Sequence, residues 1–264
     1  MRHGIRVTFG RVVRSEWTKL RSLRSTWFTL GAVALLAVGV AGVIGYGMSR
    51  SVHGGSPAPT QAEAIGAAFL PIDLLTLVVG VFGVMQMTGE YGSGKIRASL
   101  TAVPGRLPVL AAKAVVLAAL TAAVMLPGAA GAFLVCQAFL GTHGAGLGDP
   151  DVPRAILGAA GSAVAVGLLG LGLGAVIRNT AAAITTLVTA LLVVPALLPA
   201  ALTDKMEDAI MPYVPLVAGQ AMYAVGPDSA PFDTLSPAAS GLVMVGWAVA
   251  LLAGGAAVLH RRDA

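Results

Sequence analysis

Residues 152–177 read VPRAILGAAGSAVAVGLLGLGLGAVI, with Arg154 as the only charged residue. A helix needs about 20 residues to cross the hydrocarbon core of a bilayer, so this stretch predicts a transmembrane helix. Only Arg178-Asn179-Thr180 separates it from another apolar stretch, 181–201. The two stretches therefore predict a membrane hairpin with a tight connection.

Apolar stretches of this kind recur along the whole chain. The six are 27–47, 64–88, 109–140, 152–177, 181–201 and 236–259. Hydrophobic residues make up 56% of the sequence and charged residues 11%, whereas an ordinary soluble domain has about 25% charged residues. The third stretch contains Pro127-Gly128, where we expect a kink or a break. The sequence thus predicts an all-α polytopic membrane protein with six transmembrane helices, forming one transmembrane domain over residues 1–264.

The basic residues predict an orientation. If the chain starts on the inside, the cytoplasmic segments hold 14 of the 17 Lys and Arg residues, and only Arg50, Arg154 and Lys205 fall outside. Because cytoplasmic loops collect Lys and Arg, we expect both termini to face the cytoplasm, in the inner or plasma membrane. The net charge of +5 then suits anionic lipid headgroups or an acidic cytosolic partner, and we expect no nucleic-acid binding.

Residues 5–24 predict an amphipathic helix that lies in the membrane interface before the first span. Its apolar face consists of Ile5, Phe9, Val12, Val13, Trp17, Leu20 and Leu23. Glu16 falls within this face. It either pairs with Lys19 or contacts a protein partner that replaces lipid there.

The segment 202–235, before the last span, mixes charges with a short apolar run that contains Pro212, Pro215 and Gly219. The run is too short and too broken to cross the membrane. We expect a re-entrant or interfacial external segment that is buried against protein, since exposed backbone is costly in lipid.

Asp73 is the one acid well inside a predicted span. An ionisable group there is a possible functional site, so Asp73 either couples to proton or substrate movement or is satisfied structurally by water or by backbone freed at Pro71. The single cysteine, Cys136, lies in an apolar stretch and is expected to pack, and no cysteine–histidine cluster suggests a metal site.

Residues Gly89 to Lys95 match the G-x-x-x-x-G-K pattern of a nucleotide-binding loop. However, Ile96 stands where Ser or Thr should ligate magnesium, and Glu90 would bring negative charge into an anion site. The segment also follows a transmembrane helix rather than a strand. We therefore expect no ATP binding by this chain, and a sharp glycine turn followed by a short cytoplasmic helix within 96–103.

Several spaced motifs occur near both ends of the chain and in this loop. They are Glu16-x-x-Lys19-x-x-x-x-Arg24-x-x-Trp27, Glu90-Tyr91-x-x-Gly94-x-Ile96-Arg97, Pro104-x-Arg106, Lys113 and Pro215-x-x-x-Gly219-Gln220. Together with the six-span plan, they resemble the permeases of type-2 ATP-binding-cassette (ABC) exporters. Lys95 departs from that pattern, which usually has Thr or Ser after the glycine.

The resemblance implies a permease subunit, without enzymatic activity or a cofactor of its own, that works with a separate cytosolic ABC ATPase. ATP and Mg²⁺ would bind to that partner, and a second permease copy would complete a homodimer. The loop after the second span would be a coupling helix. The residues implied in ATPase docking are Glu16, Lys19, Arg24, Glu90, Tyr91, Gly94, Ile96, Arg97, Arg106 and Lys113. The expected substrate is amphiphilic: a drug, a peptide or a lipid-like molecule.

Two other classes of membrane protein compete with this interpretation. A secondary transporter or channel usually carries several intramembrane polar or charged residues for ion coupling, and here only Asp73 qualifies. A membrane-embedded enzyme would need paired acids or a nucleophile–base set. The four histidines, His3, His53, His143 and His260, lie in loops or near the termini.

The orientation can be tested by cysteine labelling in a Cys136→Ala background. We expect a membrane-impermeant maleimide to label Ser229→Cys in intact cells, and Ser93→Cys only after the membrane is opened. The reason is that position 93 belongs to the segments that hold most of the Lys and Arg residues and are therefore expected in the cytoplasm. Labelling of position 93 from outside would contradict the orientation.

Overall fold

The computed structural model describes residues 8–92, 106–226 and 235–261. Their α-helices are α1 (Phe9–Ser22), α2 (Arg24–His53), α3 (Gln61–Ala67), α4 (Ile72–Gly92), α5 (Arg106–Leu140), α6 (Asp151–Ile177), α7 (Thr180–Val188), α8 (Val194–Leu197), α9 (Asp204–Ile210), α10 (Pro215–Ala221) and α11 (Pro237–Arg261). These ranges contain no strand. The all-α prediction is confirmed.

Within these described ranges, six helical stretches are long and apolar enough to cross a membrane, as predicted. They are Arg24–His53, Gln61–Tyr91, Leu107–His143, Asp151–Ile177, Thr180–Leu197 and Pro237–His260. A helix satisfies its own backbone hydrogen bonds, so it can cross hydrocarbon without exposing polar groups. This requirement explains why the apolar stretches of the sequence correspond so closely to the helices.

The second apolar stretch forms two helices. α3 ends at Ala67, residues 68–71 form a turn, and α4 begins at Ile72. Pro71 lies at this junction and has no amide N–H to continue a helical ladder. The first turn of α3 is capped by Thr60, whose side chain accepts a hydrogen bond from the backbone N–H of Glu63.

The possible break at Pro127-Gly128 is absent, because α5 is one helix of 35 residues with Pro127 in its interior. α5 packs along α2. A Cβ added to Gly128 would lie 3.1 Å from the Cβ of Ala34, so the two helices are in close contact beside the proline. This neighbouring helix supports α5 where Pro127 removes a backbone hydrogen bond.

The fifth span is less regular than the sequence predicted. α7 ends at Val188 and is followed by a π-helical turn at Thr189–Val193, then by α8 and a 3₁₀ turn at Pro199–Ala201. The wide turn comes directly before Pro195, which has no N–H for the normal helical hydrogen bond. The helical span therefore ends at Leu197 rather than at 201.

The helix predicted within 5–24 is present as α1, with Leu23 in an extended conformation between it and α2. Ile5 lies outside the described residues. The predicted apolar face is divided: Phe9 and Trp17 are exposed, whereas Val12 packs against Val109 and Ala112 of α5. Part of the face that we assigned to lipid therefore binds α1 to the bundle.

Of the segment 202–235, α10 is buried against protein as predicted, whereas α9 has no buried residue and 227–234 lie outside the described residues. α10 packs against α6 and α11, and Val217 and Ala218 are buried. A Cβ added to Gly219 would lie 2.7 Å from the Oγ of Ser162 in α6. α10 is thus held close to the centre of the bundle.

α6 lies at the centre of the bundle, where it packs against α4, α5 and α11. Its contact with α4 depends on glycine. A Cβ on Gly83 would overlap the carbonyl group of Gly167, and a Cβ on Gly170 would overlap that of Gly80. Small residues are common where membrane helices contact each other, and these four glycines lie in such a contact between α4 and α6.

We expect Gly170→Ala to destabilise the protein by about 1–3 kcal/mol, because the new methyl group forces α4 and α6 apart. Gly39→Ala in α2 is the matched control, since no atom lies within 4 Å of its added Cβ. Thermal melting of both purified variants in detergent tests this. An unchanged melting midpoint for Gly170→Ala would contradict the packing.

Candidate functional site

Four charged side chains from three helices form a closed cycle of ion pairs. Lys113 Nζ lies 2.8 Å from Glu16 Oε2 and 2.7 Å from Glu90 Oε1. Lys19 Nζ lies 2.6 Å from Glu16 Oε1 and 3.2 Å from Glu90 Oε1. Each lysine thus bridges both glutamates. We call Glu16, Lys19, Glu90 and Lys113 the charge cluster.

The positions of these residues in their helices explain why the cluster forms. Glu16 and Lys19 are three residues apart in α1, so they share one face of that helix. Glu90 lies in the last turn of α4, where the helix dipole disfavours an anion. Lys113 of α5 supplies the cation that Glu90 needs. The cluster therefore connects α1 to the end of α4 and the beginning of α5.

The cluster is largely withdrawn from solvent. The side chains of Glu16 and Lys113 are each 5% exposed and that of Glu90 is 13% exposed, whereas Lys19 is 42% exposed. Burying charges costs free energy. Removing one partner of a buried ion pair destabilises the fold, because the other charge is left uncompensated. Lys113 should therefore matter more than Lys19, although both contact the same two acids.

The pKa of Glu16 reflects these contacts. Burial raises this pKa, but the charge of Lys113, its hydrogen bond and the contacts with Lys19 outweigh burial and hold the pKa below its ordinary value. Because the folded-state pKa is lowered, Glu16 stabilises the fold above its unfolded-state pKa. That stabilisation is lost as the pH falls through the folded-state pKa.

Lys19 shows the complementary effect. Burial lowers the pKa of Lys19, but the hydrogen bond to Glu16 and the charges of Glu90 and Glu16 raise it above its ordinary value. Lys19 is therefore positively charged at neutral pH. The local pair between Glu16 and Lys19, one of the two alternatives for Glu16, is confirmed by their 2.6 Å contact.

A second contact holds the end of α4. The guanidinium of Arg178 lies 5.2 Å from the ring centroid of Tyr91, in cation–π geometry. Arg178 also donates a 3.0 Å hydrogen bond to the carbonyl of Val258 in α11. Its backbone is left-handed, with φ of 60°, at the C-terminus of α6. The sequence showed Arg178 only as the one base in a tight turn.

The remaining docking residues divide into two groups. Arg24 is the exposed first residue of α2, and no described contact joins it to the charge cluster. Gly94, Ile96 and Arg97 lie outside the described residues, as does the side chain of Arg106 at the start of α5. The short helix expected within 96–103 also lies outside them.

The prediction of a sharp turn at Gly89 and Gly92 is wrong. α4 continues through Gly89 to Gly92, so these residues are helical. This continuation places Glu90 on α4, facing Lys113. Residues 89–92 therefore extend a transmembrane helix, and they are no part of a strand-to-loop phosphate site.

Asp73 occupies a different site, in the first turn of α4. Its Oδ2 accepts a 2.9 Å hydrogen bond from Gln220 Nε2, and its Oδ1 accepts a hydrogen bond from the hydroxyl of Tyr223. Neither contact was predicted: we expected water or freed backbone as the partner. Gln220 stood in a recognised motif, but sequence alone could not place it beside a residue 147 positions away.

Phe69 and Phe133 support the Asp73 site. The ring of Tyr223 packs against Phe69 with centroids 6.0 Å apart, and Phe69 stacks on Phe133 of α5 at 6.4 Å. These contacts fix the tyrosine whose hydroxyl binds Asp73. Within the part of the chain that the structure describes, no group of three or more His, Cys, Asp or Glu residues could hold a metal ion.

Comparison with known proteins agrees with this architecture. A family model described as "ABC-2 family transporter protein" matches residues 12–214. That range contains the charge cluster, Asp73 and five of the six spans. A search of curated proteins finds no match.

We expect Lys113→Met to destabilise the purified protein by about 3–5 kcal/mol, because it leaves two buried carboxylates beside only one lysine. Lys19→Met is the matched control: it removes a cation from the same two acids at a half-exposed position, and we expect a cost below about 1 kcal/mol. Thermal melting in detergent at pH about 7 measures both. Equal losses in the two variants would contradict a buried cluster.

The same melts separate charge from packing. Glu16→Gln together with Glu90→Gln should restore much of the stability of Lys113→Met, since no buried carboxylate is then unpaired. Lowering the pH to about 4 should reduce the melting midpoint of the wild type more than that of Glu16→Gln. Protonation of Glu16 removes the stabilisation that accompanies its lowered pKa.

Proposed function

Since the chain belongs to the ABC-2 family of transporter proteins, we propose that it is the permease subunit of an ATP-driven exporter whose ATPase is a separate polypeptide. The family match supports the transport role. The nucleotide-loop pattern at Gly89 to Lys95 lacks a hydroxyl ligand for magnesium, and its first four residues are helical. ATP and Mg²⁺ are therefore assigned to the partner.

The observation that carries the proposal is the charge cluster. Glu90 lies at the end of α4 and Lys113 near the start of α5, so the cluster connects the two helices that flank residues 93–105. Lys113 also binds Glu16, which ties α1 to the same point. A force applied to the 93–105 segment would reach α1, α4 and α5 together.

This arrangement changes how the docking residues are assigned. Glu16 and Lys113 are almost fully buried and face each other, so in the proposal they position the docking surface rather than contact the ATPase. Lys19 is half-exposed, and the exposed Arg11, Arg14 and Arg21 continue the basic surface of α1. An acidic surface on the ATPase fits beside them. Closure of the ATPase would then move the helix ends as a rigid body.

The proposed export needs an orientation and a pathway. The distribution of Lys and Arg supports cytoplasmic termini and puts the charge cluster on the cytoplasmic side. The centre of the bundle is filled by side chains such as Leu117 and Leu171, both buried. We therefore place the pathway between two copies of the chain, most simply a homodimer, with an amphiphilic substrate.

The exposed apolar surface is compatible with a second copy as well as with lipid. Leu242, Val245 and Val249 of α11 are all more than half exposed. In water such a surface would be a liability, but in a bilayer it can contact acyl chains or another permease.

Co-purification tests the proposal. A tagged chain isolated from its native membrane in mild detergent should retain a cytosolic ABC ATPase. Glu90→Gln should lower its recovery severalfold, because Lys113 then loses one of its two acids and the ends of α4 and α5 that flank residues 93–105 are held less firmly. Glu16→Gln should act in the same direction. Lys205→Gln, at an exposed position in α9, is the control and should retain the ATPase.

Two results would count against the proposal. One is the absence of any ATPase in the preparation of the wild-type chain. The other is full ATPase recovery and normal substrate-stimulated hydrolysis in both glutamate variants, which would remove the cluster from coupling. Expression and melting of each variant must be compared first, so that unfolding is not mistaken for lost docking.

A further inference from the structure

The Asp73 site opens into a cavity of about 580 Å³, which is within the range of about 300–1,000 Å³ usual for small-molecule sites. The end of α2, α3, the start of α4 and the segment from Gln220 to Gly226 enclose it. Apolar side chains such as Met48, Leu70 and Val225 line much of it. The cavity therefore has room and walls for an apolar body of drug size.

The charged groups of this cavity have one sign. Asp73 and Glu63 both line it, and no Lys or Arg is among its described lining residues. Gln220 and Tyr223 orient the carboxylate of Asp73 by hydrogen bonds, but both are neutral. Among the described lining residues, the carboxylate of Asp73 is thus held in place without a cation beside it, next to apolar walls.

One basic side chain near this region is already engaged. Arg154 donates hydrogen bonds to the carbonyls of Met222 and Ala224 and pairs with Asp151 at 3.2 Å. It lines a neighbouring cavity of about 430 Å³ and is not among the lining residues of the larger one. Ala224 lines both cavities, and its carbonyl oxygen accepts one of these hydrogen bonds from Arg154.

We propose that the Asp73 cavity binds an organic cation with an apolar body, such as an amphiphilic ammonium compound. The ammonium group pairs with Asp73, with Glu63 adding negative potential, and the apolar part contacts Met48 and Leu70. Leu70 is 61% exposed, so the cavity wall continues onto the surface, and a longer tail can extend there. The ligand is either a free amphiphile or the amine headgroup of a lipid.

The identification of this ligand with the exported substrate rests on the proposed function, but binding itself does not. Under the orientation expected from the charges, the cavity lies toward the exterior, on the release side of an exporter. A binding measurement on the chain without an ATPase therefore tests the cavity alone. Failure of the binding measurement would not affect the co-purification result, and failure of co-purification would not affect the binding result.

The experiment uses the full chain in dodecyl maltoside micelles, which contain no ammonium group, and measures fluorescence anisotropy of rhodamine 6G, a monovalent amphiphilic cation. We expect saturable binding that dodecyltrimethylammonium displaces and that dodecanol does not. Asp73→Asn keeps the shape of the side chain and should raise Kd at least about tenfold, since a charge pair at about 4 Å in a partly buried site exceeds that factor. Asp208→Asn, exposed in α9, should bind like the wild type.

Glu63→Gln supplies a second test, because glutamine can retain the cap on α3 while it removes the charge. We expect a smaller rise in Kd than for Asp73→Asn, about twofold to fivefold, since Glu63 is exposed and more strongly screened. Melting curves confirm that each variant is folded. Unchanged Kd in folded Asp73→Asn, or equal displacement by dodecanol, would overturn the proposal.

A further arm separates the two sources of the ammonium group. Phosphatidylethanolamine added to these micelles competes with the dye if a lipid headgroup occupies the cavity. An unchanged dye affinity in its presence assigns the cavity to free amphiphiles. Either result, with the Asp73 dependence, supports a cation site and identifies what fills it.

Discussion

The close contact of α4 with α6 sets the positions of the other helices. In a bilayer, lipid is as apolar as leucine, so helices gain little from burying apolar side chains against each other and depend instead on close packing. Gly83 and Gly170 allow this approach because each faces a carbonyl group of the other helix where a Cβ would collide. α6 then offers its remaining faces to α5 and α11.

The two polar sites lie at opposite ends of α4. Asp73 is in its first turn and Glu90 in its last, so about 26 Å of helix separates them at 1.5 Å per residue. Each acid contacts residues from other helices or segments: Lys113 and Lys19 at one end, Gln220 and Tyr223 at the other. A single rigid helix therefore connects the proposed coupling site with the proposed ligand cavity.

Much of the fold followed from the sequence, because hydrocarbon leaves a chain few alternatives. Long apolar runs must become helices, and the six spans were found nearly in place. Local exceptions escaped prediction where proline effects depend on neighbours. Pro127 is accommodated within α5, whereas Pro71 stands at a junction and Pro195 follows a π turn.

The polar sites were harder to predict than the helices. Glu16, Lys19, Glu90 and Lys113 were all singled out by motif, but their closure into one cycle depends on how three helices pack. Asp73 was noticed because a charge inside an apolar run is rare, yet its partners lie some 150 residues away. Helical periodicity and span length contain no information on such long-range pairs, so local pattern identified the residues and missed most of the contacts.

The glycine contact between α4 and α6 has a mechanical consequence. Most helix pairs interlock through side chains that project into each other's grooves, and sliding one helix along the other must lift each side chain over a ridge. At Gly83 and Gly170 backbone faces backbone, so these positions offer no side-chain ridge, whereas Val79 and Val166 project into the contact beside Gly167 and Gly80. A small axial shift of α4 along α6, the shear type of movement seen between packed helices, would carry these two valines past glycine rather than past a larger side chain. Because a charged group lies near each end of α4, such a shift would move both.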